Sequence, residues 1–201
     1  MSLTSDAKLY NYLKIDNFFS KEELSGIWKE IDLAHDNQWL SSEDLGEQLK
    51  TGSDTTLDEF VAREGFCFND RYDVSRSVTY NAVSRIFSEG VTCKFAKLSF
   101  ACRSVLSTRT SQLLCTLYTN GDFYKAHTDM FNTTVLFWLA REPGSFTGGD
   151  LNLPEISETI KFSHNTMIMF PSQAIHSVTK VIMDPDKPKK LGRYCLSFFL
   201  N

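Results

Sequence analysis

The stretch TLYTNGDFYKAHTD, residues 116–129, decides the fold. An apolar run over 113–119 meets Asn120-Gly121, a pair that favours a tight turn, before the chain resumes towards His127 and Asp129. A strand sends alternate side chains to one face, so a single β segment can present His127 and Asp129 together. Outward from here the texture repeats. Short apolar or alternating runs occupy 97–104, 113–119, 133–140, 149–153, 159–163, 166–170, 176–182 and 192–200. Pro143-Gly144, Gly148-Gly149, Pro171-Ser172 and Asp184-Pro185 separate several of them. About eight short strands closing on themselves predict a mostly β protein with a double-stranded β-helix, or jelly-roll, core.

The first half has a helical character. Ser20-Lys21-Glu22-Glu23 has the form of a capping box, and Leu24, Ile27, Trp28 and Ile31 follow at helical spacing. Leu13, Ile15 and Phe18-Phe19 predict a short strand leading into that helix. A second helix is expected over about 77–89, with Val78, Ala82, Val83, Ile86 and Phe87 inward and Gly90 as its stop. Residues 40–58 are polar and lack a sustained apolar period, which predicts a long loop of the kind that forms lids. The chain is therefore expected to be one domain over 1–201, with helical support and a lid region over 1–94 and the catalytic core over 95–201.

With 201 residues the chain can bury a sizeable core without disulfides or a structural metal. Its net charge of −4 and lack of a long basic run disfavour nucleic acid as a partner. The nearest basic cluster, Lys187-Pro188-Lys189-Lys190, follows Asp184 and Asp186 and is expected to be a solvated loop. Five Cys with no CxxC spacing predict reduced, mostly buried thiols. The N-terminus lacks the apolar core of a signal peptide, and no run approaches the roughly 18 apolar residues of a membrane helix. No membrane partner is expected, and the default location is the cytoplasm.

Three residues carry the candidate chemistry: His127, Asp129 and His176. The third lies 49 residues after the first, which leaves room for several strands before a neighbour delivers it. Two imidazoles and one carboxylate, with other positions open, form the facial triad suited to non-haem Fe(II). Taken alone, H-x-D is a weak pattern, and Asp129 could equally cap a turn. The surrounding segments make it specific. TLYTNGDFYKAHTD, TTVLFWL, FTGGDL, MIMFPSQAIHSV and LGRYCLSFFL resemble, in order, the strands and hairpins of the prolyl 4-hydroxylase-like branch of the Fe(II)/2-oxoglutarate dioxygenases. The N-terminal YLKIDNFFSKEELSGI resembles that branch's opening strand and helix.

The resemblance implies Fe(II), 2-oxoglutarate as cosubstrate and O2, with ascorbate as an accessory, and a hydroxylated product alongside succinate and CO2. It implies that His127, Asp129 and His176 are both the catalytic and the metal-binding residues. Related halogenases replace the carboxylate with a small residue, and Asp129 therefore points to hydroxylation. Arg193 is the candidate for the distal carboxylate of 2-oxoglutarate, because a guanidinium can grip a carboxylate with two parallel hydrogen bonds. It is expected to share one face of the last strand with Cys195, Ser197 and Phe199. The 17-residue gap from His176 to Arg193 is longer than the family usually shows, which leaves Lys180 as a competitor. Tyr118 matches a family Tyr that joins the Arg, and Thr134 and Leu136 are further candidates to line the cosubstrate pocket. His35 suits the end of the first helix, His164 a turn, and Arg63, Arg71 and Arg76 a solvated surface. Residues 40–58 and 65–76 are candidates for contact with substrate, a small molecule or peptide. A prolyl residue, a free amino acid and other small molecules all remain open. Competing readings are a non-catalytic jelly-roll module that senses metal and 2-oxoglutarate or binds a partner, and a zinc or manganese hydrolase or isomerase.

Overall fold

The computed structural model describes residues 10–34, 39–41, 61–62, 64–69, 74–88 and 90–201. Thirteen strands are named among them: β1 (Leu13–Asp16), β2 (Val61–Ala62), β3 (Glu64–Cys67), β4 (Ser111–Tyr118), β5 (Phe123–His127), β6 (Thr133–Leu139), β7 (Phe146–Thr147), β8 (Leu151–Leu153), β9 (Glu158–Ile160), β10 (Thr166–Pro171), β11 (His176–Val178), β12 (Ile182–Met183) and β13 (Arg193–Leu200). The α-helices are α1 (Lys21–Leu33), α2 (Val78–Ser88) and α3 (Val91–Ala96).

Strand β13 organises the larger sheet. It pairs antiparallel with β4 from Arg193↔Tyr118 to Leu200↔Ser111, and with β6 on its other side. The full order is β1-β10-β6-β13-β4-β3, facing a five-stranded sheet β2-β5-β11-β8-β9, with β12-β7 as a small third ribbon. These antiparallel sheets form a mostly β protein with a few helices, consistent with the jelly-roll expectation. Alternation along β13 gives the larger sheet two apolar faces, as a strand buried on both sides requires. Tyr194, Leu196, Phe198 and Leu200 join Leu113, Cys115, Val135, Phe137, Met167 and Met169 against the helices. Cys195 instead joins Leu136, Trp138, Ile168 and Phe170 in a second cluster with Leu151, Leu153 and Ile160 of the smaller sheet. The candidate site lies on that inner side.

Local chemistry explains the first helix. Ser20 accepts from the Glu23 backbone N–H at 3.2 Å and Glu23 accepts from the Ser20 N–H at 2.8 Å, completing the capping box. Asn165, at φ 59°, both accepts from Phe19 N and donates to Phe19 O at 2.8 Å, pinning the entry of α1 to the start of β10.

Three expectations need correction. Residues 97–104 are not a strand: Ala101–Ser107 is a 3₁₀ turn in which Cys102 and Val105, three apart, are the buried positions. Leu98 and Phe100, which gave the run its alternation, face solvent. In α2 the inward stripe is Thr79, Ala82, Val83 and Ile86, while Val78 and Phe87 are each 44% exposed. Finally, β1 and β3 are strands of the larger sheet, so the β core draws on the first 94 residues as well as the remainder. Most of the expected loop at 40–58, together with His35, Arg63 and Arg71, lies outside the described residues.

Candidate metal and anion site

His127 ends β5, and the chain leaves the strand before reaching Asp129. The two residues therefore do not share one continuous β segment. Asp129 sits in the β5–β6 connection, where its backbone N–H donates to Ser172 O at 2.9 Å. His176 opens β11 directly opposite His127 in the antiparallel register. The β pairing supplies the two imidazoles, and a cross-loop bond places the carboxylate between them.

The three side chains are nearly buried, at 9%, 13% and 5% exposure for His127, Asp129 and His176. His127 Nε2 lies 3.5 Å from Asp129 Oδ1, and His176 Nε2 lies 3.5 Å from Asp129 Oδ2. On the far side of each ring, Nδ1 faces a backbone carbonyl: Lys125 O at 2.8 Å for His127 and Ala174 O at 3.0 Å for His176. A carbonyl can only accept, so each Nδ1 carries a proton. In the neutral rings the Nε2 lone pairs are then turned towards the carboxylate. Such an arrangement of acceptors is stable only with a cation or a proton among them. It is also how metal-ligating histidines are commonly oriented.

Electrostatics favour the neutral imidazole at His176 and the carboxylate at Asp129. Burial pushes the His176 imidazole below its ordinary value, with the Asp129 carboxylate opposing and the His127 ring adding to the fall. Burial works to raise Asp129, but the two imidazoles and the Thr134 hydroxyl outweigh it and hold the carboxyl below the usual range. Tyr124 stacks on His127 with centroids 3.6 Å apart, and Phe170 meets His176 edge-on at 4.9 Å. One candidate ligand atom from each of the three lies within 4.8 Å of the others, the only such group of metal-ligating residues among those described.

Arg193 opens β13 and is 1% exposed. Its Nε donates to Gly149 O at 2.8 Å, and the guanidinium carbon lies 4.9 Å from the Tyr118 ring, 5.3 Å from Trp138 and 5.6 Å from Phe162. Neither terminal nitrogen has a hydrogen-bond partner. A buried cation whose donors face no acceptor is costly, and an anionic ligand is the economical remedy. Lys180 is exposed, and its backbone carbonyl closely approaches Gly148.

The other candidates separate. Tyr118 is buried and sits directly across from Arg193. Leu136 belongs to the apolar cluster between the sheets. Thr134 lies behind Asp129, donating to Oδ2 at 2.6 Å. His164 accepts from Ala140 N at 3.0 Å, a turn role. Within 65–76, Phe66 and Phe68 are fully buried in the helix-side core, and Arg76 is exposed. Sequence reasoning missed Ser172 and Gly149. Both fell within turn dipeptides, Pro171-Ser172 and Gly148-Gly149, and within segments that carry the resemblance, without a role of their own.

Fold and donor set define the class: a jelly-roll protein with two imidazoles and a carboxylate converging beside a buried, unsatisfied guanidinium. Residues 112–201 match the family model described as the 2OG-Fe(II) oxygenase superfamily, whose members use Fe(II), 2-oxoglutarate and O2. The residues present fit that chemistry, since a mixed nitrogen and carboxylate set suits Fe(II) and Arg193 suits a dicarboxylate. No curated protein sequence matches the chain. Among solved structures, a prolyl-4-hydroxylase from Pseudomonas putida is similar at TM-score 0.63 and 10% identity, over 98% of this chain and 95% of that one. The viral collagen prolyl hydroxylase of Paramecium Bursaria Chlorella virus-1, in its 2OG complex, is similar at 0.53 and 15%, over 98% and 97%. A 2OG-Fe(II) oxygenase family oxidoreductase from Burkholderia pseudomallei is similar at 0.55 and 15%, over 96% and 85%. At these identities the likeness is one of fold. Among the described residues no helix is long and apolar enough to cross a membrane.

Proposed function

We propose that the chain hydroxylates an unactivated C–H of an organic substrate, a prolyl residue or a small molecule, with His127, Asp129 and His176 holding Fe(II) and Arg193 gripping the distal carboxylate of 2-oxoglutarate. The observation that carries this is the buried Arg193 guanidinium with both terminal nitrogens unpartnered. A zinc hydrolase or a plain structural core has no use for such a group. When bound, the iron with 2-oxoglutarate and O2 supplies the oxidising power, leaving succinate and CO2 as co-products. The chain's own part is placement. His127 and His176 offer Nε2 because their Nδ1 protons are committed to Lys125 O and Ala174 O. Tyr118, Trp138 and Phe162 surround the guanidinium, shield it from water and so strengthen its hold on an anion. The prolyl option comes from the two prolyl hydroxylases named above, which share the fold.

The test is an anaerobic titration of Fe(II) and 2-oxoglutarate, following the visible metal-to-ligand charge-transfer band of the ternary complex. The band is expected in the parent chain, absent in His176→Ala, and at least about 10-fold harder to saturate with 2-oxoglutarate in Arg193→Met, the change worth about 1.4 kcal/mol or more. Arg193→Met is also expected to raise the melting temperature of the ligand-free protein, because it removes an uncompensated buried charge. Iron binding without a band defeats the 2-oxoglutarate assignment, and a band whose saturation Arg193→Met leaves unchanged defeats the role of Arg193.

A further inference from the structure

We propose that Thr134 and Ser172 are positioning residues: two fully buried hydroxyls in series that fix one oxygen of Asp129, so that the carboxylate meets the metal through the other oxygen alone. The inference rests on His127, Asp129 and His176 being the ligands.

Thr134 Oγ1 donates to Asp129 Oδ2 at 2.6 Å, and Ser172 Oγ lies 2.8 Å from Thr134 Oγ1. A hydroxyl has one proton. Since Thr134 spends its own on the carboxylate, Ser172 is the donor in the second contact, and the direction Ser172 to Thr134 to Asp129 follows. Both residues are 0% exposed, so water does not compete for either group. Hydrogen bonds to a charged acceptor are the stronger kind, and a donor polarised by a second one is stronger still.

Ser172 does more than feed the relay. Its carbonyl accepts from Asp129 N at 2.9 Å and its N–H donates to Asn132 O at 3.2 Å. Gln173 adds a bond from Nε2 to Phe131 O at 2.7 Å. The β10–β11 connection, which ends at His176, is thus strapped to the β5–β6 connection, which holds Asp129. Spacing between the carboxylate and the distal imidazole is set by protein bonds before any metal arrives. With Oδ2 engaged by Thr134, a second metal–oxygen contact from Asp129 is disfavoured, and that coordination position stays open for the cosubstrate. Thr134 sits opposite Phe199 of β13 and Phe170 of β10, on a central strand whose backbone leaves it little freedom to drift.

The experiment compares Thr134→Val, Thr134→Ser, Ser172→Ala and the double variant Thr134→Val/Ser172→Ala with the parent and with His176→Ala. Each is titrated anaerobically with Co(II), recording affinity and the visible d–d spectrum, alongside the melting temperature of the metal-free protein. Valine keeps the shape and strand preference of threonine and removes only the hydroxyl. Thr134→Val is expected to bind Co(II) about 10–100-fold more weakly, as for partners that orient metal ligands, with an altered spectrum, and Thr134→Ser to restore both. Ser172→Ala is expected to shift both in the same direction by less. The double variant leaves no stranded hydroxyl and should recover stability while its Co(II) affinity stays low. Parent-like affinity and spectrum in Thr134→Val, with His176→Ala unable to bind, overturn the relay and leave the ligand assignment standing. Recovery of affinity together with stability in the double variant overturns it too, since the hydroxyls would then act only through folding. A parent that binds no better than His176→Ala defeats the ligand assignment and the relay with it.

Discussion

On the proposed reading, Gly149 shapes the anion site through its backbone alone. A Cβ there would lie 2.4 Å from Arg193 Cδ and 2.9 Å from Nε, and the backbone is held at φ +68°. Its carbonyl meanwhile accepts the Arg193 Nε–H. Any side chain at this position both strains the turn, at roughly 1–2 kcal/mol for an L-residue in that region, and displaces the arginine it anchors. Gly149→Ala is therefore expected to weaken 2-oxoglutarate binding by more than about 10-fold, roughly 1.4 kcal/mol, while Co(II) affinity stays at the parent value. Isothermal titration with each ligand separates the two, and an alanine variant with unimpaired 2-oxoglutarate binding would sink this role. The sequence places the Gly-Gly pair as a turn and Arg193 as an anion clamp, but not the contact between them. They are 44 residues apart, and nothing local links them. The three candidate ligands were legible because their residue types and order are themselves the pattern. Thr134 was legible only as a pocket residue, because its hydroxyl's direction depends on where the β5–β6 connection folds back.

Elements differ in how local their causes are. The capping box of α1 involves residues three apart, and the sequence displays it whole. The start of α2 is another matter. Ser77 Oγ accepts from Tyr80 N at 3.0 Å in the usual way, but the N–H groups of Val78 and Thr79 donate to the carboxylate of Glu30 on α1, at 2.7 and 2.9 Å. Ser77 Oγ itself donates to Glu30 at 3.0 Å. One helix thus caps the next, across a gap of 47 to 49 residues that no periodicity reveals. Loss of a cap commonly costs about 0.5–2 kcal/mol, and the charge places this one towards the upper end. Glu30→Ala is expected to lower the melting temperature accordingly and to leave Co(II) and 2-oxoglutarate affinities unchanged, because the helices pack on the far face of the larger sheet. Altered ligand affinity in that variant would show that the helix layer and the site are coupled. The misassigned run at 97–104 belongs to the same scale: a few alternating apolar residues fit a strand or a 3₁₀ turn, and only burial at Cys102 and Val105 distinguishes them.

At the scale of the whole molecule, β13 on the proposed reading separates folding from chemistry by residue parity. Tyr194, Leu196, Phe198 and Leu200 hold the helices, whereas Arg193 and Cys195 face the space between the sheets. This division was legible in the alternation of the last strand. Which strands flank it was not, because β1 and β3 come from a stretch dominated by helical and polar patterns. The parity makes a two-part prediction at two positions of this strand. Leu196 is fully buried in the helix-side cluster, and Leu196→Ala should cost about 2–5 kcal/mol of stability through the cavity it leaves. A ligand that binds only the folded state stabilises it by an amount set by concentration and affinity, RT ln(1 + [L]/Kd). If the two faces are independent, Co(II) and 2-oxoglutarate should therefore stabilise the weakened Leu196→Ala protein by the same free energy as the parent, despite its lower starting melting temperature. Arg193→Met, three residues earlier on the strand, should behave oppositely, with no loss of ligand-free stability and little added stabilisation by 2-oxoglutarate. Denaturant unfolding with and without the ligands measures all four quantities. A reduced ligand increment in Leu196→Ala would mean that the helix layer tightens the site through the sheet, and the assignment of one face to folding and the other to chemistry would fail.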